Sequence, residues 1–240
     1  MSFAKNLNDI SLYMMAIVFL VNAGLSVIQS RQKDTDARTL KRLMTGNWGL
    51  FGMSYVILVS RLYLPFAETA LHIALYRILL IFDVIALGCV FLYISLKYAK
   101  KLPKFSSFLK YFGFLQAIGL SILVLFDPGF SVKQTKLYVE IVPSFSCQTG
   151  ISLSMVILIL CFLITAGLLE RKNKNNADQE KSIKVTERKD VLLLALFVFL
   201  MIVHIPLPLI VGYELIGSLI IFIFRVLISS TIVAHTLATK

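Results

Sequence analysis

A lone arginine in a long apolar stretch is the first residue that demands an account. Arg225 sits near the middle of the run Leu215 to Ala238, with no Asp, Glu, Lys or Arg within ten residues on either side. At about 1.5 Å per residue it would lie near the midplane of a hydrocarbon core about 30 Å thick. A cation at that depth costs at least about 2.5 kcal/mol, so its place is against protein or water rather than lipid. Along the same helix Glu214, Ser218, Arg225, Ser229 and Thr236 fall within about 60° of one another at 100° per residue and form one polar stripe.

A complementary group stands earlier in the chain. Asp83 is the one acidic residue deep inside an apolar run, and His72 and Tyr76 precede it on the same helix at spacings of four and seven. Equal depth and opposite charge predict an ion pair between Asp83 and Arg225, with Tyr76 or Ser229 satisfying what the pair leaves open. Such a pair has two readings: a lock that sets the register of two helices, or a site for a ligand, ion or proton. His204, ahead of the Ile-Pro-Leu-Pro segment, and Glu214 add polar groups at the outer ends of their helices and are candidates for the wall of an outward-facing pocket. Asn22, Ser26 and Gln29 share one face, as do Asn47, Ser54 and Arg61, and Gln116 stands within a further span. These are read as hydrogen-bonding residues between helices, the usual role of polar side chains on apolar helices.

Other chemistries find no support in the residue pattern. The three histidines are single residues on different helices or at different depths, without the spacing that puts two ligands on one face, so no metal site is expected. No Gly-x-Ser-x-Gly elbow, Asp-x-x-Asp pair or phosphate-binding loop occurs, and no enzyme activity or cofactor is implied. Cys89 and Cys161 fall inside apolar runs while Cys147 stands between them, so no internal disulfide is expected.

The elements that must position these residues are transmembrane helices. Apolar residues make up 58% of the 240-residue chain and charged residues 15%, and the apolar ones come in long unbroken runs rather than periodic patches. Seven spans are predicted, at about 10–29, 47–64, 71–98, 108–126, 151–169, 191–209 and 213–238. They form a single all-α transmembrane domain over 1–240. The first run lacks a small-residue cleavage site and reads as a retained span. Asp127-Pro128-Gly129 is a turn signal, and Leu137 to Val142 in the connection that follows has the composition of a short strand or an interfacial segment, with Tyr138 at headgroup level.

Lysine and arginine placement sets the expected orientation. Seventeen of the 24 basic residues fall in the first, third and fifth connections, whereas only Lys5, Lys133 and Lys136 lie clear of the spans on the other side. Basic loops resist translocation, so the N-terminus is expected outside and the C-terminus inside. The net charge of +11 then needs no nucleic acid, because basic loops at an anionic inner leaflet account for it.

As a topology, this layout resembles that of rhodopsin-like and receptor-like seven-helix proteins, of small seven-helix sugar transporters, and of the multi-span sensor modules of microbial signalling proteins. Retinal-binding rhodopsins hold their cofactor on a lysine of the seventh helix. Here that helix carries Arg225 at mid-depth and lysine only at Lys240, so no Schiff base is expected. The layout and the polar residues together lead to the expectation of a multi-pass protein of the cell membrane, receptor-like or sensory, binding a small molecule between helices 3, 6 and 7 and signalling to a cytoplasmic partner. Two rival expectations are a secondary transporter or channel using Asp83 and Arg225, and a structural subunit of a membrane complex. Pseudo-symmetry between helices 1 to 3 and 5 to 7 would favour transport.

Overall fold

A computed structural model describes residues 2–31, 35–134, 139–175, 181–204, 207–211 and 214–238. Seven long helices account for most of these residues: α1 (Ser2–Gln29), α2 (Thr35–Arg61), α3 (Thr69–Tyr98), α4 (Pro103–Phe126), α5 (Phe145–Asn175), α6 (Lys181–His204) and α8 (Leu215–Ala238), with the five-residue α7 (Leu207–Val211) between the last two. A two-stranded antiparallel hairpin, β1 (Ser131–Gln134) and β2 (Val139–Val142), follows α4. Among the described residues, six helices (all the long ones except α6) are long and apolar enough to cross a membrane. The chain is a multi-pass helical membrane protein.

The helices reach further than the apolar runs alone suggested. The second span, expected from residue 47, is the C-terminal part of a helix that starts at Thr35, and the fifth, expected from 151, starts at Phe145. The flanking residues are polar but not helix-breaking, so nothing stops the backbone from continuing its hydrogen bonding beyond the apolar core. The sixth span, expected over 191–209, is covered by α6 as far as His204 and by α7 from Leu207, and residues 205 and 206 lie outside the described residues. The expected strand within Leu137 to Val142 is β2, while Leu137 and Tyr138 lie outside the described residues.

Neighbours in the chain are neighbours in space. Packing runs α1 to α2, α2 to α3, α3 to α4, α4 to α5, α5 to α6, α6 to α8, and closes from α8 back to α1. The result is a ring in which successive long helices run antiparallel and α8 closes it parallel to α1, Arg225 meeting Asn8 and Ser11 and Ser229 meeting Met15. One end of the ring carries Ser2 and the β-hairpin; the other, the basic end, carries the lysine-rich connections. The tightest seam is between α3 and α4. A side chain at Gly113 would stand 2.6 Å from Cβ of Phe91, and one at Gly88 would stand 3.0 Å from Cβ of Ala117, so glycine is what lets the two backbones approach. Lipid-side exposure is greatest on α4, where Phe108, Tyr111, Phe114, Leu115, Ile118 and Ile122 all point outward.

An aromatic layer fills the middle of the ring. Phe19 of α1 packs on Trp48, Phe51 and Tyr55 of α2, and Phe197 of α6 meets Phe19, Trp48 and Phe51 edge-on at centroid distances of 5.3–6.2 Å. All five side chains are buried. Ring pairs in these tilted and edge-on arrangements contribute about 0.5–1.5 kcal/mol each beyond their buried area.

The hairpin end is fastened by two arginines. Arg77 donates to the carbonyls of Leu125 and Asp127 at 2.9 and 2.5 Å and covers the Phe130 ring, so it serves the C-terminus of α4. Arg61 donates to the Val139 carbonyl at 3.2 Å and lies over the Tyr76 ring. The Asp127 carboxylate accepts from the backbone N–H groups of Gly129 and Ser144. Burial opposes its charge, but the Ser144 and Gly129 hydrogen bonds and the Arg77 guanidinium outweigh that and hold its carboxyl below the ordinary value. Gly129 is needed here for space rather than for an unusual backbone angle, since a Cβ would meet that of Ser144 at 2.7 Å.

Candidate functional site

Two polar clusters occupy the interior, one on each side of the aromatic layer. The first is built around Arg225. Its Nη1 donates to Ser11 Oγ at 2.6 Å, to Asn8 Oδ1 at 2.7 Å and to the Asn8 carbonyl at 3.0 Å, while its Nε donates to His204 Nε2 at 3.1 Å. Asn8, Ser11 and Arg225 are at most 4% exposed and His204 is 8% exposed. Because the guanidinium has only donors, His204 must present an unprotonated Nε2. The Ser11 hydroxyl donates in turn to the Asn8 carbonyl at 2.7 Å, which pins the first turns of α1 in place. One turn further along α8, Ser229 Oγ contacts Met15 Sδ of α1 at 3.1 Å.

Three of the six residues singled out from sequence therefore share the α8 stripe and its flanks: Arg225, His204 and Ser229. The other three are elsewhere. Tyr76 packs between the Arg61 guanidinium and the edge of Phe130. Glu214 is exposed ahead of α8, where its carbonyl accepts the Ser218 N–H. Asp83 lies on the α2 side of α3, beside the Ser54 hydroxyl, and its Oδ1 has no hydrogen-bond partner. The expected Asp83 to Arg225 ion pair is absent from the salt bridges among the described residues. The two charges have different surroundings: Arg225 is bonded to residues of α1 and α6, and Asp83 stands beside Ser54 of α2. Tyr55 of α2 is within electrostatic reach of both.

The second cluster lies at the basic end and was not anticipated. Asp190 of α6, 1% exposed, accepts from Lys97 Nζ of α3 at 2.6 Å and stands 2.8 Å from His235 Nε2 of α8. The histidine contact is close but out of line for a straight hydrogen bond. Lys97 also donates to the Tyr93 hydroxyl at 2.9 Å, and the Tyr93 ring meets the His235 ring edge-on. Lys41 of α2 is near enough to feel both Lys97 and Asp190, and donates to Gln29 of α1 at 2.7 Å. Trp48 of the aromatic layer packs edge-on to His235, so the layer rests directly on this cluster. Here helices 3, 6 and the last one do meet, at the basic end and through residues other than those singled out from sequence.

The signals for these missed residues were weak. Asp190 reads as the last residue of a charged connection, and Asn8 and Ser11 straddle the start of the first apolar run. The α2 face Asn47, Ser54 and Arg61 is buried, with Ser54 donating to the Leu79 carbonyl of α3 at 3.2 Å. Cys89, Cys147 and Cys161 are free. Among the described residues no three His, Cys, Asp or Glu side chains are placed to hold a metal ion. No protein-family model, curated protein or solved structure matches this chain.

Proposed function

We propose that this chain is a receptor-like, sensory seven-helix protein of the cell membrane, with its N-terminus outside and its C-terminus inside. The observation that carries the reading is the hydrogen bonding of the Arg225 guanidinium to side chains of two other helices, α1 and α6, at the hairpin end. A small molecule bearing a carboxylate or similar acceptor would compete with Asn8, Ser11 and His204 for those donors. Exchanging them would shift α1 and α6 against α8. The aromatic layer would pass that shift to the Asp190 cluster, which joins α3, α6 and α8 beside the basic loops and a cytoplasmic partner. The site is thus assigned to helices 1, 6 and 8.

The orientation rests on the seventeen to three asymmetry of basic residues. The seventh crossing is assigned to α6. Its Asp190 bonds Lys97 at the basic end and its His204 bonds Arg225 beside Asn8, a separation of fourteen residues, or about 21 Å. Cysteines introduced singly at Lys104 and Lys133 should label from opposite sides of the membrane; labelling from one side would sink the topology.

The functional test is thermal unfolding of the purified chain against a panel of small organic carboxylates. At least one should raise the midpoint of the wild-type protein and leave that of Arg225→Met unchanged. If none does, or if the response survives in Arg225→Met, the receptor reading fails. Uptake of a responding compound into proteoliposomes would favour transport instead.

A further inference from the structure

A carboxylate away from the Arg225 cluster enters no ion pair among the described residues. Asp83 belongs to the seam between α2 and α3. Its Oδ1 is cut off from solvent and makes no hydrogen bond, and Asp83 enters none of the ion pairs among the described residues. Arg61 of α2 and the two basic residues of α3, Arg77 and Lys97, are committed elsewhere. Arg77 serves the C-terminus of α4, Arg61 the hairpin and Tyr76, and Lys97 the Asp190 carboxylate. Arg225 is directed to α1 and α6. Along α3, Lys97 is fourteen residues from Asp83, about 21 Å.

The remaining polar groups around Asp83 are oxygens. The Ser54 hydroxyl stands beside the carboxyl and within 3.2 Å of both the Leu50 and Leu79 carbonyls. Leu79 is one helical turn before Asp83, so its carbonyl lies on the same side of α3. Carboxylate, hydroxyl and carbonyl oxygens are the donor set that hard cations take, whereas soft metals prefer sulfur and nitrogen. One carboxylate neutralises one charge. A divalent ion would leave a full positive charge buried, at the cost that excludes isolated cations from such sites.

We propose that Asp83, with the Ser54 hydroxyl and the Leu79 carbonyl, binds a small monovalent cation such as sodium between α2 and α3. The site is independent of the receptor reading, which concerns Arg225, and would serve a sensor or a transporter alike. Occupancy ties α2 to α3 at mid-depth.

The test uses the purified full chain at matched ionic strength, with sodium chloride exchanged for the chloride of a bulky organic cation. Sodium should raise the unfolding midpoint in proportion to the logarithm of its concentration once above the dissociation constant. Asp83→Asn should fold and lose that shift; Ser54→Ala should need more sodium for the same shift. An unchanged midpoint in the wild-type protein, or a sodium shift that persists in Asp83→Asn, overturns the proposal. Infrared spectroscopy gives a reading that does not depend on any variant folding. A protonated-carboxyl band that is present in sodium and absent from Asp83→Asn would mean that a proton fills the site and no cation does.

Discussion

The placement of Arg225 among Asn8, Ser11 and His204, rather than against Asp83, can be tested by double-mutant cycles. Asn8→Ala removes the acceptor 2.7 Å from Nη1 while leaving the backbone carbonyl at 3.0 Å, so one hydrogen bond to a cation is lost. Bonds to charged groups contribute about 1.5–3 kcal/mol, against an average of about 0.6 kcal/mol for side-chain bonds between helices in a membrane. At about 2–4 °C per kcal/mol for a chain of this size, the single substitution should lower the unfolding midpoint by roughly 3–12 °C. The cycle Asn8→Ala with Arg225→Met, measured by equilibrium unfolding in mixed micelles, should give a coupling energy of about 1.5–3 kcal/mol. The parallel cycle of Asp83→Asn with Arg225→Met should give a smaller one, because those two side chains share no bond. A coupling for Asn8 below about 0.6 kcal/mol, or one for Asp83 that exceeds it, would refute the geometry.

Three further outcomes are expected. Asp190→Asn should destabilise the protein by about 3–5 kcal/mol, since it strands Lys97 beside a buried histidine. Lys100→Ala, which removes an exposed bridge to Asp36 at 3.3 Å, should cost at most about 1 kcal/mol; equal effects in thermal unfolding would mean that the Asp190 cluster does not hold the basic end. Gly113→Ala should destabilise by about 1–3 kcal/mol, because its Cβ would lie 2.6 Å from that of Phe91, whereas Gly24→Ala, with open space around it, should be neutral or stabilising by up to about 1 kcal/mol. Asp127, whose carboxyl is held below the ordinary carboxylate value, stabilises the folded state above that value, and its contribution is lost as pH falls through the folded pKa. An acid titration of the unfolding midpoint should therefore be shallower in Asp127→Asn than in the wild-type chain, and superimposable curves would contradict the hydrogen bonds drawn for it.

Hydropathy and helical period made the helices, their faces and the importance of Arg225 legible in the sequence. A backbone in lipid must satisfy its own hydrogen bonds, so a long apolar run has few alternatives to a helix, and a buried cation must face inward whatever surrounds it. The same rules put Ser229 on the arginine's stripe of the last helix, and placed Ser54 and Arg61 on one face of α2, which is buried. They could not say which helix stands beside which. Depth and charge are the same for every arrangement of a ring, and they drew Asp83 to Arg225 although α1 and α6 are what flank α8. Asn8 and Asp190 were passed over because each stands at the edge of an apolar run, where a polar residue is ordinarily solvated. Only closure of the ring, through close approach at Gly88 and Gly113 and the fit of Phe19, Trp48 and Phe197 at its centre, buries those edges and turns them into the partners of Arg225 and Lys97. That closure depends on packing between residues far apart in the chain, which no local pattern encodes.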